Sequence, residues 1–520
     1  MRRAICFCGK LIFWGVIVVG LAAGGALLLI TQHLDEAVRA EVQRVFAEHY
    51  QGLHVSVRSA QRVEGQGLYV RGLSLMDPSL EGPRGELLYV DEIFMASDTA
   101  IEELVLGELQ VDHISLRRVA LRAVRREDGT WSTSGLLPLP DTAEAAPNIS
   151  IEDGTLEIFD PLQSPPSTLT LRRINIDITP AKSAEGSVGS SEKLRIAGSL
   201  AGDVFRETTL EGLIDPATGH WSLSGNIDQL TVSPETWQAL PHPVARQMTP
   251  LGELRGKANV AFQIARRSPQ PASRLPSLTE NSSPWQFDVR GNLIDGRYED
   301  NRLPMPLRDI AATFHVSNAG LSIESLTAKG GNSTLHLELQ RDGWSDASPL
   351  RFTAKARQFH VDDAVADVLP AELASVWREY RPQGTLDADV VVHFDGHTWQ
   401  PELTVHCLDM AFEHEVFPYP VSSATGRVTL KRDVLEFSIS ALASNKPLNM
   451  KGRFEQVLDS PVGWMTYDCQ GPIPIDATLH AALDTQWLRE TRELMLSMKA
   501  RGGISSQGSF ELGRMPCGAT

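Results

Sequence analysis

Hydrophobic and polar residues alternate with a period of two along most of this chain. At three places a helical period interrupts them. The clearest interruption is Val361 to Phe394, where Val365, Val368, Leu369, Leu373, Val376, Trp377 and Tyr380 recur at helical spacing. Asp362 suits an N-cap, because its carboxylate can accept from the orphan amides of a first turn. Pro370 breaks the run and suits the first turn of a second helix. Two short helices are therefore predicted. After Gly384 the period returns to two: Leu386, Ala388, Val390, Val392 and Phe394 face one way, and Asp387, Asp389 and His393 the other.

The same plan occurs twice more. Upstream, Ser233 suits an N-cap, Pro234 a first helical position, and Leu240-Pro241 a break. The strand that follows carries Leu254, Ala258, Val260, Phe262 and Ile264 on one face. Downstream, Ile475 and Asp476 open a third helical unit, 114 residues after Val361. Leu240-Pro241 precedes Leu369-Pro370 by 129 residues. Pro304 and Pro306 match Pro418 and Pro420 in the intervening segments. A repeat of about 115–130 residues predicts an array of similar modules rather than unrelated domains. The third copy is expected to be incomplete, since its strand starts near Gly503 and the sequence given ends at Thr520. A truncated reading frame and a natural terminal cap are both open readings.

Leu11 to Ile30 is 20 apolar residues without a charge, enough for a membrane span. Arg2, Arg3 and Lys10 precede it, which orients the N-terminus toward the cytoplasm. A cleaved signal peptide is the alternative, and both readings export the rest. Thr31 to Tyr50 reads as a helix with Leu34, Val38, Val42, Val45 and Phe46 on one side. Short alternating strands follow from Leu53, with a turn at Asp128-Gly129.

The expected organisation is a tail (1–10), a transmembrane helix (11–30), a helix plus β unit (31–136) and a linker (137–148). A β repeat with a helical pair at 233–248 occupies 149–267, and a Pro/Ser-rich insertion 268–284. A second repeat with helices at 362–380 occupies 285–400. A third, with helices within 476–501, occupies 401–520. The fold class is mainly β: an anchor helix, then an elongated array of antiparallel β-sheet repeats forming a curved groove, with short helical pairs between repeats.

Charge narrows the function. The net charge of −17 argues against a nucleic-acid partner, which needs clustered positive charge. The one dense basic patch, Arg117, Arg118, Arg122, Arg125 and Arg126, reads as a solvated hairpin face or as a contact for anionic headgroups. The five cysteines form no metal or disulfide pattern, and pairing of Cys407 with Cys469 is open. Gly291 to Arg297 has a P-loop's glycine spacing without its Lys-Ser/Thr ending or its helix, and reads as a simple turn. His393, Asp395 and His397 are better explained by a hairpin turn at Asp395-Gly396 than by a metal. The expectation is therefore no enzyme, no cofactor and no metal.

Each strand presents an apolar face. That face is either an ordinary core or the lining of a groove wide enough for acyl chains. Lipid-contact candidates are Leu386, Ala388, Val390, Val392 and Phe394, with Leu254, Ala258, Val260, Phe262 and Ile264. The chain resembles the AsmA-like family, related to TamB and to the bridge-like, repeating β-groove lipid-transfer proteins. The resemblance rests on Asp128, Gly129 and Trp131, and on Ile151, Asp153, Gly154, Leu156, Ile158 and Asp160. It implies a single-pass inner-membrane protein with its bulk in the periplasm. It also implies phospholipid as the partner and a role in outer-membrane biogenesis. The alternative is a periplasmic scaffold that holds outer-membrane proteins by strand addition.

Overall fold

The structure is a computed structural model that describes residues 35–63, 66–96, 111–136, 147–162, 166–181, 193–215, 218–239, 252–266, 285–300, 303, 305–367, 371–457 and 461–512. The predicted membrane span, residues 137–146 of the predicted 137–148 linker and the 268–284 insertion lie outside them; Asn148 already opens a strand. Among the described residues no helix is long and apolar enough to cross a membrane.

The fold is mainly β. Helix α1 (residues 35–49) leads into β1 (His54–Val63), β2 (Gly67–Met76), β3 (Glu86–Ala96), β4 (His113–Val124) and β5 (Asn148–Asp160). Next come β6 (Ser167–Pro180), β7 (Leu194–Gly202), β8 (Glu207–Asp215), β9 (His220–Val232), helix α2 (Pro234–Ala239) and β10 (Leu254–Arg266). Then follow β11 (Trp285–Tyr298), β12 (Leu307–Ser317), β13 (Gly320–Gly330), β14 (Ser333–Asp342) and β15 (Leu350–Val361). Helices α3 (Asp363–Ala366) and α4 (Ala371–Tyr380) precede β16 (Gln383–Phe394), β17 (Trp399–His414), β18 (Phe417–Lys431), β19 (Val434–Ala443), β20 (Lys446–Glu455) and β21 (Val462–Cys469). The last elements are β22 (Ile473–Pro474), α5 (Ala477–Ala482), α6 (Arg489–Ser497), β23 (Gly503–Ile504) and β24 (Gln507–Leu512).

All strands except β22 and β23 belong to one 22-stranded sheet. The chain divides into two compact units, one built on β1 to β9 and the other on β11 to β24, with β10 giving residues to both. Of the first predicted pair, at 233–248, one helix (Pro234–Ala239) is described and residues 240–248 lie outside the described residues. The second copy has two helices where two were predicted, and these connect the antiparallel neighbours β15 and β16. In the third copy α5 and α6 lie between the antiparallel neighbours β21 and β24. Six strands of the large sheet, β16 to β21, separate these insertions, and six, β10 to β15, separate the first two. The expectation of a purely antiparallel array needs one correction. Strands β4 and β5 pair in parallel, His113 beside Asn148 and Val124 beside Phe159. A parallel pair cannot be closed by a tight turn, and the long connection after Val124 supplies the crossover.

In the first unit α1 lays Val38, Val42 and Phe46 on a cluster that includes Val55, Val57, Val70, Leu75 and Ile93. Leu75 and Val70 are wholly buried, and burying each such side chain contributes roughly 1.5–3 kcal/mol. Val45, expected on the same side, is 49% exposed. The contacting stripe is the narrower row at spacing four, and Val45 stands on its flank. The helix also caps the edge of β1. Arg39 Nη1 donates to Val57 O at 3.3 Å and Gln43 Nε2 to Val55 O at 3.1 Å.

One device recurs along the strands. Two residues interrupt the alternation, and the apolar residues resume on the same face but with opposite parity. The second of the two is in the left-handed region: Arg118, Asp153, Arg173, Gln229, Asp295, Asp309, Gln358 and Ser423, with φ between 50° and 54°. Register shifts accompany it, for example between Ile151 and Gly154, Arg172 and Asn175, and Ala356 and Phe359. These are β-bulges, which bend a strand and increase its twist. The simple turn expected at Gly291–Arg297 is one of them, a bulge inside β11 at Asp295. The amide freed by a bulge is taken by the next strand: Asn175 Oδ1 accepts from Asp153 N at 3.0 Å, and Asp387 Oδ1 from Gln358 N at 2.8 Å.

Candidate functional site

The alternation of each strand in the second unit is brought into line with its neighbours by the register. Val390 lies between Ala354 and Leu403, which continue through Leu337 on one side and through Leu430, Leu435 and Phe454 on the other. Val392 lies between Phe352 and Pro401, Ala388 between Ala356 and Val405, and Leu386 between Phe359 and Cys407. The predicted face of β16 is thus one column of an apolar surface whose rows run from strand to strand. Its opposite face carries the polar partners, with Arg357 Nη2 2.6 Å from Asp389 Oδ1.

This surface is closed at one end. Val365 of α3 is buried with Val361, Met410, Ala424 and Ala441, and Trp377 and Leu386 pack on that cluster. The third helical unit does the same with Leu479, Ala482 and Leu483 against Tyr419 and Ala443. Both clusters sit at the strand ends where the helices are inserted. Farther along the same strands burial falls. Ala388, Val390, Val392, Phe394, Leu403, Val405, Leu430 and Leu435 are only half-buried. At the opposite end Trp399, 60% exposed, stacks on Phe394 with centroids 4.5 Å apart. Of the candidates on β10, Ala258 and Val260 are buried, while Leu254, Phe262 and Ile264 are half-buried. Each of the two strands keeps the predicted alternation.

The basic patch is neutralised by acids of neighbouring strands. Arg117 pairs with Glu152 at 2.7 Å, Arg118 with Asp91 at 2.5 Å and Arg122 with Glu86 at 2.8 Å. Arg125 pairs with Asp160 at 3.0 Å and Arg126 with Asp77 at 2.7 Å. Sequence reading saw five like charges because their partners are remote along the chain. Asp160, the last residue of the family-like stretch, is 1% exposed, so its position in that motif has a structural cause.

The His393–His397 stretch forms the predicted turn. Asp395 Oδ1 accepts from the amides of His397 at 2.9 Å and Thr398 at 2.8 Å. The Thr398 and His397 amides, with the Thr398 hydroxyl, lower its pKa to about 2. Cys407 and Cys469 are both free thiols. Four strand spacings of about 4.8 Å separate β17 from β21, far beyond the roughly 4.4–6.8 Å between Cα atoms that a disulfide needs. One feature had no sequence signal, because it depends on three strands at once. A cavity of 470 Å³ opens among Asn449, Lys451, Thr466, Asp468, Gln507 and Ser509, with Tyr467 and Gly508 also lining it.

No protein-family model matches this chain, and no curated protein does.

Proposed function

We propose that this protein binds the acyl chains of phospholipid on the half-buried apolar face of its sheet and lets them pass from strand to strand. In this reading Leu386, Ala388, Val390, Val392 and Phe394 are contact residues of one module, and Leu254, Phe262 and Ile264 of the preceding one, where Ala258 and Val260 are buried. Headgroups stay in water while the chains follow the rows, so burial of about 25 cal/mol per Å² replaces the shielding of a bilayer. No cofactor is required. The proposal extends to the setting: Leu11–Ile30 anchors the chain in the inner membrane, the rest is periplasmic, and the process served is outer-membrane biogenesis.

The observation that carries the reading is the fall in burial along β16 and its neighbours. The rows are continuous and apolar, yet the helices cover one end of them. A sheet face serving only as core would be filled throughout.

The test compares lipid uptake with stability. Full-length protein is purified in mild detergent, exposed to phospholipid vesicles and extracted for mass spectrometry. Val390→Asp and Val392→Asp should each weaken lipid uptake by about tenfold, since a carboxylate against an acyl chain costs roughly 1–3 kcal/mol. Their melting temperatures should change little, because both positions are already partly in water. Equal loss of uptake and stability, or loss of stability alone, would mark the face as core.

A further inference from the structure

Two rows of the apolar face in the second unit place a glycine directly opposite a phenylalanine. One row runs through Ala388, Val405, Val428, Phe437, Gly452 and Met465. The other runs through Gly291, Phe314, Ile323, Leu339, Phe352 and Val392. Each row therefore includes one of the lipid-contact candidates, Ala388 or Val392. The two phenylalanines are half-buried, and the two glycines are buried.

The backbone does not require glycine at either position. Neither Gly291 nor Gly452 has a positive φ, so alanine could hold the same strand conformation. The requirement comes from the ring. A methyl carbon on Gly452 would lie 2.6 Å from two ring carbons of Phe437, and one on Gly291 would meet the Phe314 ring closer still. Ordinary carbon contacts are about 3.5–4.0 Å. Each ring thus lies across the neighbouring strand, in the notch left by the missing side chain. Strand side chains ordinarily stand roughly perpendicular to the sheet. Phe437 is also within 12° of parallel to Phe454, which belongs to the adjacent row. The first unit repeats the device, with Phe262 ring carbons 2.9 and 3.0 Å from where a methyl on Gly225 would be.

We propose that Gly291 and Gly452 keep these rows passable to acyl chains. A chain moving from strand to strand crosses a ring that lies flat, as part of the floor. An upright ring would stand in its way. The glycines are positioning residues, because they act through Phe314 and Phe437. This inference rests on the lipid-binding reading and adds to it residues that set the rate of movement. A ring laid over a strand glycine also stabilises the sheet, so the test reads movement and stability separately.

Full-length protein in mild detergent is mixed with vesicles that carry a pyrene-labelled phosphatidylcholine. The loss of excimer emission gives the rate of uptake, and its end point the amount bound. Gly291→Ala and Gly452→Ala should each slow uptake by about tenfold, a barrier raised by about 1.4 kcal/mol, with the amount bound at saturation unchanged. Adding Phe437→Leu should restore the rate of Gly452→Ala and not that of Gly291→Ala. Phe437→Leu alone, which leaves the glycine untouched, should keep the native rate. Gly225 is not used, because a methyl there would also meet the backbone carbonyl of Thr209. Thermal melts confirm that each variant is folded. Native rates in both glycine variants, beside a Val390→Asp variant that has lost uptake, overturn this inference and leave lipid binding standing. A slowed rate that Phe437→Leu fails to restore, or one that Phe437→Leu produces alone, overturns it as well, by reducing the pair to packing. Uptake that Val390→Asp leaves intact removes the lipid reading, and this inference with it.

Discussion

Among the described residues, eight polar or charged ones hold a left-handed backbone conformation inside β-strands, at the second position of a bulge. Asp and Asn tolerate that region, while a β-branched side chain there is strained. Gln358 shows why the position matters: its amide is held by Asp387 and its carbonyl accepts from Ser333 Oγ at 3.0 Å. Gln358→Val should destabilise the protein by about 1–2 kcal/mol, whereas Gln358→Gly should be nearly neutral, since relief of the conformation offsets added chain entropy. Denaturant midpoints of the two variants check this. Asp395 offers a pH-dependent counterpart. Its folded pKa lies below its unfolded one, so its contribution is present above about pH 4 and is lost as pH falls through about 2. The stability difference between the native protein and Asp395→Asn should be constant near neutrality and shrink on acidification, read by denaturation at a series of pH values. The bulges had a visible trace in the sequence. Leu169 and Leu171 stand at odd positions and Ile174, Ile176 and Ile178 at even ones, across Arg172-Arg173. The alternation was legible, and the change of parity is the signature of the inserted residue.

Helices and strands were legible to different degrees. The paired helices after Val361 and Ile475 could be read from N-cap, spacing and proline, because those signals are local. The parallel pairing of β4 and β5 could not, since it depends on where a long connection returns. The same holds for the ion pairs of β4 and of the turn that follows it: each arginine meets an acid on another strand or in a distant turn. The most enclosed of them is Arg125 with Asp160, whose side chains are 18% and 1% exposed. Asp160→Ala would leave the guanidinium without its partner in a mostly buried site and should cost about 3 kcal/mol. Arg117→Ala, whose side chain is 56% exposed, should cost under about 1 kcal/mol. Thermal or chemical denaturation of the two variants should separate them clearly. A similar cost at both sites would mean that burial of the pair is not what sets its strength.

At the scale of the molecule the sequence-derived repeat corresponds to six strands and a helical insertion. The apolar face was legible as a set of separate strand faces. Its continuity was not, because continuity is a matter of register between strands. Val392 illustrates the gain. Alone it is one apolar residue of an alternating strand. In the sheet it stands between Phe352 and Pro401, half-buried, and under the proposed reading its replacement by Asp should lower lipid uptake more than stability.

The placement of the helices has a consequence for how such a chain can change over generations. Each insertion after the first joins two strands that are already hydrogen-bonded neighbours. A whole module can therefore be duplicated or deleted without rethreading the chain, and the new junction is again a pair of adjacent strands. Six strands advance the sheet by about 29 Å, close to the thickness of a bilayer's hydrocarbon layer. A change in the number of modules would lengthen or shorten the sheet in steps of that size while the local chemistry stays the same.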